Sequence, residues 1–425
     1  MGRRSTDPEF FPVQSVIDNK IFAILVYSNR FFSTLTGGYF GRLAYPYILN
    51  WFGMENNYEK ITKEILGFGG VQVDGSNPWD IRVHHQEFYR RVITEGELGF
   101  GESYMDGWWD AEKVDELIYR ILDAHLEEKI GFKFSFFFRY LIERLFNFQS
   151  RRRAFMIGER HYDLGNDLFQ NMLDRRMNYS CGYWKGAHSL DEAQENKLEL
   201  ICRKLNLKPG LRVLDIGCGW GPLGKYAAKK YQVEVVGITV SKEQVQLGKE
   251  MCVGLPVDFR LIDYRDINEK FDRIVSVGMV EHVGYKNYPT FFGVANRCLK
   301  DDGLFLLHTI GHMKSSKTLD PWSHKYIFPN GMIPSATQLC AAFEKLFVIE
   351  DWHNFGNDYD KTLMAWYDNF VTNWDKMKHR LSERFFRMWK FYLLSEAAIF
   401  RLRQNHVWQI VLSKNGIPGG YYSIR

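Results

Sequence analysis

An apolar strand that runs directly into a three-glycine turn limits the possible folds of this chain more than any other segment: Val213-Leu214-Asp215-Ile216-Gly217-Cys218-Gly219-Trp220-Gly221. Glycines at alternate positions permit positive φ and let a ligand come close to the backbone. Around this turn, strands and helices alternate. Helix Leu190–Leu205 is followed by strand Arg212–Ile216, helix Leu223–Lys230, strand Glu234–Ile238 and helix Lys242–Met251. Strands Asp258–Leu261 and Arg273–Val277, helix Thr290–Leu299 and strand Gly303–His308 complete the series. Such alternation predicts an α/β domain with a parallel sheet and right-handed crossovers. Ligands on such sheets bind at the carboxyl ends of the strands, where the glycine turn sits. The spacing is G-x-G-x-G and position 222 is Pro222, so the dinucleotide fingerprint is not met. That disfavours a nicotinamide oxidoreductase and favours a ligand without phosphates. Asp215, at the strand end, is placed either to take an ammonium group or to support the turn.

The rest of the 425 residues divides by composition. Residues 1–55 are an extension whose first ten carry no weight in the fold reading; residues 11–55 are rich in aromatics. Residues 56–145 read as a small helical domain, with helical periodicity at Tyr58–Leu66 and Val114–Ala124 and a hairpin expected between Val71–Val73 and Ile81–Val83. Residues 146–166 form a basic linker and 167–425 the α/β domain. Between 129 and 160, Lys and Arg interleave with Phe, including Arg151-Arg152-Arg153. This suits either an anionic membrane surface or a solvated linker face. The net charge of +4 is too mild to point to nucleic acid. The six cysteines form no C-x-x-C pair, which argues against structural zinc and fits reduced thiols. No apolar run approaches the ~20 residues of a membrane span.

Further motifs make the reading specific. The glycine turn resembles the first motif of S-adenosylmethionine-dependent methyltransferases. Glu159–Asp167, Asn178–Trp184, Ser276–Gly284, Leu306–Gly311, Tyr326–Gly331 and Glu350–Gly356, with Leu98–Trp109 upstream, together resemble the cyclopropane-fatty-acyl-phospholipid synthases. The resemblance covers about residues 56–412. It implies a Rossmann-like methyltransferase domain, with a mostly parallel seven-stranded sheet, preceded by a smaller, mainly helical lipid-binding domain. It implies methylene transfer from S-adenosylmethionine to a cis double bond of a phospholipid acyl chain, with bound bicarbonate as base. It also implies a homodimer in the cytoplasm, peripheral to the inner face of the membrane and acting on unsaturated phospholipids there.

Carried over residue by residue, the resemblance assigns Cys181, Glu281, His308, Tyr359 and the main chain at Ile310 to the reacting end. It assigns Tyr179, Ser180, Gly217, Gly219, Thr239, Gln244, Asp263 and Tyr264 to the cofactor, alongside Asp215. Two departures stand out. Thr239 replaces the acid that many methyltransferases use for ribose, and Glu396 stands where some members carry a cysteine. Asp263-Tyr264 fits adenine binding but equally a capped turn. An alkene is a weak nucleophile and the reaction puts positive charge on carbon, so the chemistry needs alignment, dryness and aromatic faces. Tyr183, Trp184, Trp322, Phe328, Trp352 and Trp366 are candidates for those faces. Either bicarbonate, oriented by Glu281, or Glu281 or His308 itself removes the final proton. A C-methyltransferase that leaves a methyl branch and a non-catalytic lipid-binding protein are the rival readings.

Overall fold

The computed structural model describes residues 58–125 and 165–425. The basic segment 129–160 and residues 11–55 lie outside the described residues, as do the boundary expected at 145 and the expected linker up to residue 164.

Residues 58–125 fold as α1 (Tyr58–Gly67), β1 (Arg82–Val83), α2 (Glu87–Glu95), α3 (Glu97–Met105), β2 (Trp109–Asp110) and α4 (Val114–Asp123). The expected hairpin is not formed. β1 pairs instead with β2, antiparallel, through Arg82 opposite Asp110 and Val83 opposite Trp109. The Asp80 carboxylate explains the difference. It accepts from Gln72 N and Asn77 N at 2.8 Å each and rounds the 72–80 loop, so that Val73 and Ile81 meet only in a single parallel bridge, with Ile81 N donating to Gln72 O and Asp74 N to Ile81 O, while Arg82–Val83 pair elsewhere. The small core beneath is fully buried at Ile81, Phe88, Trp109, Val114 and Leu117.

Residues 165–425 comprise α5 (Asn166–Met172), α6 (Leu190–Lys204), β3 (Arg212–Ile216), α7 (Pro222–Tyr231), β4 (Glu234–Thr239), α8 (Lys242–Met251), β5 (Val257–Leu261), β6 (Phe271–Val277), α9 (Tyr288–Cys298), β7 (Leu299–His312), α10 (Pro321–Tyr326), α11 (Ala336–Phe343), β8 (Val348–Asn354), α12 (Asn357–Thr372), α13 (Trp374–Met377), α14 (Glu383–Arg401) and β9 (Asn405–Ser413). Seven strands form one sheet in the order β5-β4-β3-β6-β7-β9-β8, with β9 antiparallel to both neighbours and the other pairings parallel. β3 and its neighbours are apolar runs because helices cover both faces. The helix starts follow local chemistry: Ser189 and Ser241 cap α6 and α8 through Glu192 N and Gln244 N. The order in which the strands connect reverses between β3 and β6, although the two run parallel, and this opens a crevice at their carboxyl ends. β7 is longer than the sequence suggests. It pairs with β9 out to His312 opposite Asn405, which puts both strands beside that crevice.

The two parts meet along α14 and α10. Trp322 is wedged against α3, where a Cβ at Gly101 would lie 2.4 Å from its ring, and packs edge-on against Phe391 at 4.8 Å. Glu102, also on α3, takes Lys325 and Tyr326 of α10 together with Arg91. No helix among the described residues is long and apolar enough to cross a membrane.

Candidate active site

A cavity of about 280 Å³ opens at the crevice. One end is built by the glycine turn. Gly217 N and Cys218 N both donate to Ile238 O, so the turn is held onto β4. Gly217 has φ +81°, and a Cβ there would lie 2.6 Å from the Met279 side chain. Gly219 has φ +56° and a Cβ there would meet nothing within 4 Å, so its missing side chain is cavity space.

Every residue expected at the cofactor end lines this cavity: Tyr179, Ser180, Asp215, Gly217, Gly219, Thr239, Gln244, Asp263 and Tyr264. Thr239 donates its hydroxyl to Gln244 Oε1 at 2.6 Å, which leaves the amide N–H groups of Gln244 as donors for a bound molecule. A neutral pair thus stands where related folds place an acid. Asp263 is both the capped turn and the cavity carboxylate. It accepts from Arg265 N at 3.0 Å and is clamped by the Arg265 guanidinium at 2.7 Å through both oxygens. The neighbouring Tyr264 ring is fixed edge-on against Phe291. Burial pushes the Asp215 carboxyl up to about 7, opposed by the charge of Lys197. Tyr179 shares a hydroxyl contact of 3.1 Å with Tyr392.

The residues expected at the reacting end line the same cavity: Cys181, Glu281, His308, Ile310 and Tyr359. Glu281 sits in the 3₁₀ turn Val280–His282 that follows β6. Its Oε1 accepts from Ile310 N at 2.7 Å, so the main-chain donor of Ile310 is already in use. Its Oε2 is buried without a hydrogen-bond partner. Burial pushes this carboxyl up to about 7, with the Ile310 N–H working in the opposite direction. His308 is held below its ordinary pKa by burial and by the nearby Lys197, Lys204 and His353 charges, so it is neutral. The Gln409 amide lies directly across β7/β9 from it, 3.3 Å from His308 Nδ1. With the amide nitrogen as donor, the ring proton sits on Nε2. Cys181 is fully buried, its thiol donates to Gly182 O, and burial raises its pKa, so it is a neutral thiol. Tyr359 is packed against Phe400 at 4.6 Å and Trp366 at 5.8 Å.

The aromatic expectation needs correction. Of the six candidates only Phe328 lines the cavity. Trp322 is used at the contact with α3, Trp352 packs on Trp408, Tyr183 on Phe355, and Trp184 donates to Thr362. Trp366 is buried behind Tyr179 and Tyr359. Large rings with nearby partners became ordinary packing. In their place Tyr392 and Phe400 of α14 line the cavity, with Glu396, Leu363, Lys197 and Met332. Glu396 is singled out in the sequence as the position where some members carry a cysteine; sequence reasoning missed the others as lining residues. One signal was available for Lys197: it falls on the buried stripe of α6 with Ala193, Gln194 and Ile201. All six cysteines are free, and no cluster of three or more metal-ligating side chains exists among the described residues.

This geometry joins a polar, hydrogen-bonding end to an apolar end that holds an uncommitted carboxylate oxygen. Comparison with known proteins agrees with it. Residues 149–410 match the model of the mycolic acid cyclopropane synthetase family. The chain is 53% identical over 366 residues to the cyclopropane-fatty-acyl-phospholipid synthase of Escherichia coli K12, spanning 86% of this chain and 96% of that one. It is 33% identical to sphingolipid C9-methyltransferase A of Emericella nidulans, over 78% of this chain and 68% of the other. Among solved structures it is similar to the mycolic acid cyclopropane synthase CmaA1 complexed with SAH and CTAB. There the identity is 32% and the TM-score 0.58, covering 61% of this chain and 98% of that one. The chain belongs to the mycolic acid cyclopropane synthetase family, and it is an S-adenosylmethionine-dependent methyltransferase.

Proposed function

We propose that this enzyme transfers a methylene from S-adenosylmethionine to the cis double bond of an unsaturated phospholipid acyl chain, closing a cyclopropane ring with bicarbonate as the base. The observation that carries this reading is Glu281: a buried carboxylate with one oxygen uncommitted, in the same cavity as the glycine turn and beside apolar walls. When bound, S-adenosylmethionine supplies an electrophilic methyl group. The residues that would hold it are the Gly217–Gly219 backbone, Gln244 and Thr239, Asp263 and Tyr264, and Tyr179 and Ser180. Leu363, Phe400, Phe328 and Tyr359 would keep water from the cationic carbon that an alkene acquires on alkylation. Bicarbonate fits the other end on the same orphaned atom, since its O–H can donate to Glu281 Oε2. His308 Nε2–H, Cys181 and Tyr359 would surround it as neutral groups that do not trap a carbocation. Glu281 would hold the ion's proton in place, and a weak base suffices to take a proton from a methyl next to a cation.

The product decides between this reading and methyl branching. With methyl-deuterated cofactor and unsaturated phospholipid vesicles, mass spectrometry is expected to find two deuterium atoms retained, in the bridge carbon. Three retained deuterium atoms would overturn ring closure, and no product at all would revive a non-catalytic lipid binder. Activity is expected to fall in carbonate-depleted buffer and to return with added bicarbonate. The same proposal includes docking on anionic membrane through residues 129–160 and a homodimer. Vesicle flotation that requires anionic lipid and weakens with salt tests the first, and sedimentation tests the second.

Gln409 gives a further expectation. Gln409→Leu removes the donor that fixes the His308 tautomer, and kcat is expected to fall about tenfold, the size of one buried hydrogen bond. Steady-state kinetics should show KM for the cofactor unchanged.

A further inference from the structure

Lys197 lies on α6 behind the Tyr179–Cys181 segment, is 1% exposed, and lines the cavity. Its Nζ donates to Asn178 Oδ1 at 3.1 Å and to Ser180 Oγ at 2.8 Å. Neither acceptor is free to move. Asp174 accepts from Asn178 N at 2.7 Å and from Asn178 Nδ2 at 2.9 Å, so the Asn178 carbonyl must face the lysine. Gln194 donates to Ser180 O at 2.8 Å and holds the serine backbone. An ammonium has three donors and no acceptor. Two conclusions follow. Ser180 Oγ must accept from Lys197, so its own O–H can donate only away from it. The third N–H of Lys197 remains for a group in the cavity. The nearby carboxylates of Asp174 and Asp215 make no ion pair with Lys197, and burying an ammonium without a direct partner is costly, so an anion in the cavity would complete the site. Burial lowers the Lys197 pKa to about 8, while the neighbouring Asp174 and Asp215 favour the charged ammonium.

We propose that Lys197 is a positioning residue for the carboxylate of the cofactor's amino-acid moiety, engaging it with its third N–H and through the Ser180 hydroxyl that it orients. This rests on the reading that Ser180 belongs to the cofactor end. It also explains why a cationic sulfonium ligand tolerates a buried lysine: the carboxylate lies between the two charges.

The test compares two ligands by titration calorimetry on the full chain. S-adenosylhomocysteine carries the amino-acid carboxylate, whereas 5′-methylthioadenosine has the same adenosine thioether without it. Lys197→Met is expected to weaken S-adenosylhomocysteine about 30-fold, the size of a charge-assisted hydrogen bond, and to leave methylthioadenosine within about twofold. Lys197→Arg should recover part of the loss. Retained methylthioadenosine binding shows that the variant is folded. Equal weakening of both ligands, or no weakening of either, would overturn the proposal. Binding of neither ligand by the unaltered chain would overturn the cofactor reading together with it.

Discussion

Glu281→Gln is expected to lower kcat about 10³-fold, within the range of general acid–base groups, while S-adenosylhomocysteine affinity changes less than about threefold. The substitution keeps volume and keeps an oxygen for Ile310 N, which now donates to Glu281 at 2.7 Å. What it removes is the ability of the orphaned second oxygen to take or hold a proton. Burial pushes the Glu281 carboxyl up to about 7, so in the unaltered enzyme the carboxylate forms only as pH passes that value. Activity should therefore rise through about pH 7 on the acid side. The residual activity of the variant should lack that limb, although any titration of bicarbonate itself would persist. The same shift acts on stability with the opposite sign. Between the ordinary value of 4.5 and about 7 the folded state binds the proton more tightly than the unfolded state, so stability falls as pH rises through that window. Glu281→Gln should flatten this slope, and thermal melts between pH 4.5 and 8 would show it. A variant with near-normal turnover would remove Glu281 from the reaction.

Gly219→Leu should have a comparably large effect for a different reason. At φ +56° a non-glycine residue costs about 1–2 kcal/mol, so the fold should survive with a modestly lowered Tm. A Cβ at this position meets no atom of the protein within 4 Å, so the added side chain must occupy the cavity. Cofactor affinity is expected to drop at least about 100-fold, read as loss of S-adenosylhomocysteine heat in calorimetry. The equivalent change at Gly217 would be less informative, because a Cβ there strikes Met279 at 2.6 Å and loss of folding would mask loss of binding. Unchanged affinity in a folded Gly219→Leu protein would place the cofactor elsewhere.

What the sequence made legible follows from how locally each feature is encoded. The glycine turn, Glu281 and the Tyr179–Cys181 segment are short runs whose backbone demands are visible in the residues themselves. They reached one cavity because strand ends converge in a parallel sheet. Gln409 was not legible, because its role depends on a register pairing with a residue 101 positions earlier. Tyr392 and Phe400 reach the cavity from α14, whose placement is set by packing against α12 and the front part. The 71–83 hairpin was misread because Asp74-Gly75 is a genuine turn signal, while one carboxylate, Asp80, decided what the turn connects. Aromatic residues misled in another way. Their size marks them for burial but not for which side of a wall they occupy.

The wedge of Trp322 into α3 bears on how such enzymes can be cut and recombined. Trimmed to residues 165–425, the chain would show Trp322 and Phe391 to water and leave Lys325 and Tyr326 without Glu102. That oily scar invites aggregation, whatever the state of the chemistry a few residues away at Phe328. Chimaeras that swap front halves between relatives should therefore inherit Gly101 and Trp322 as a matched pair, since any side chain on the glycine would push the indole out of its seat.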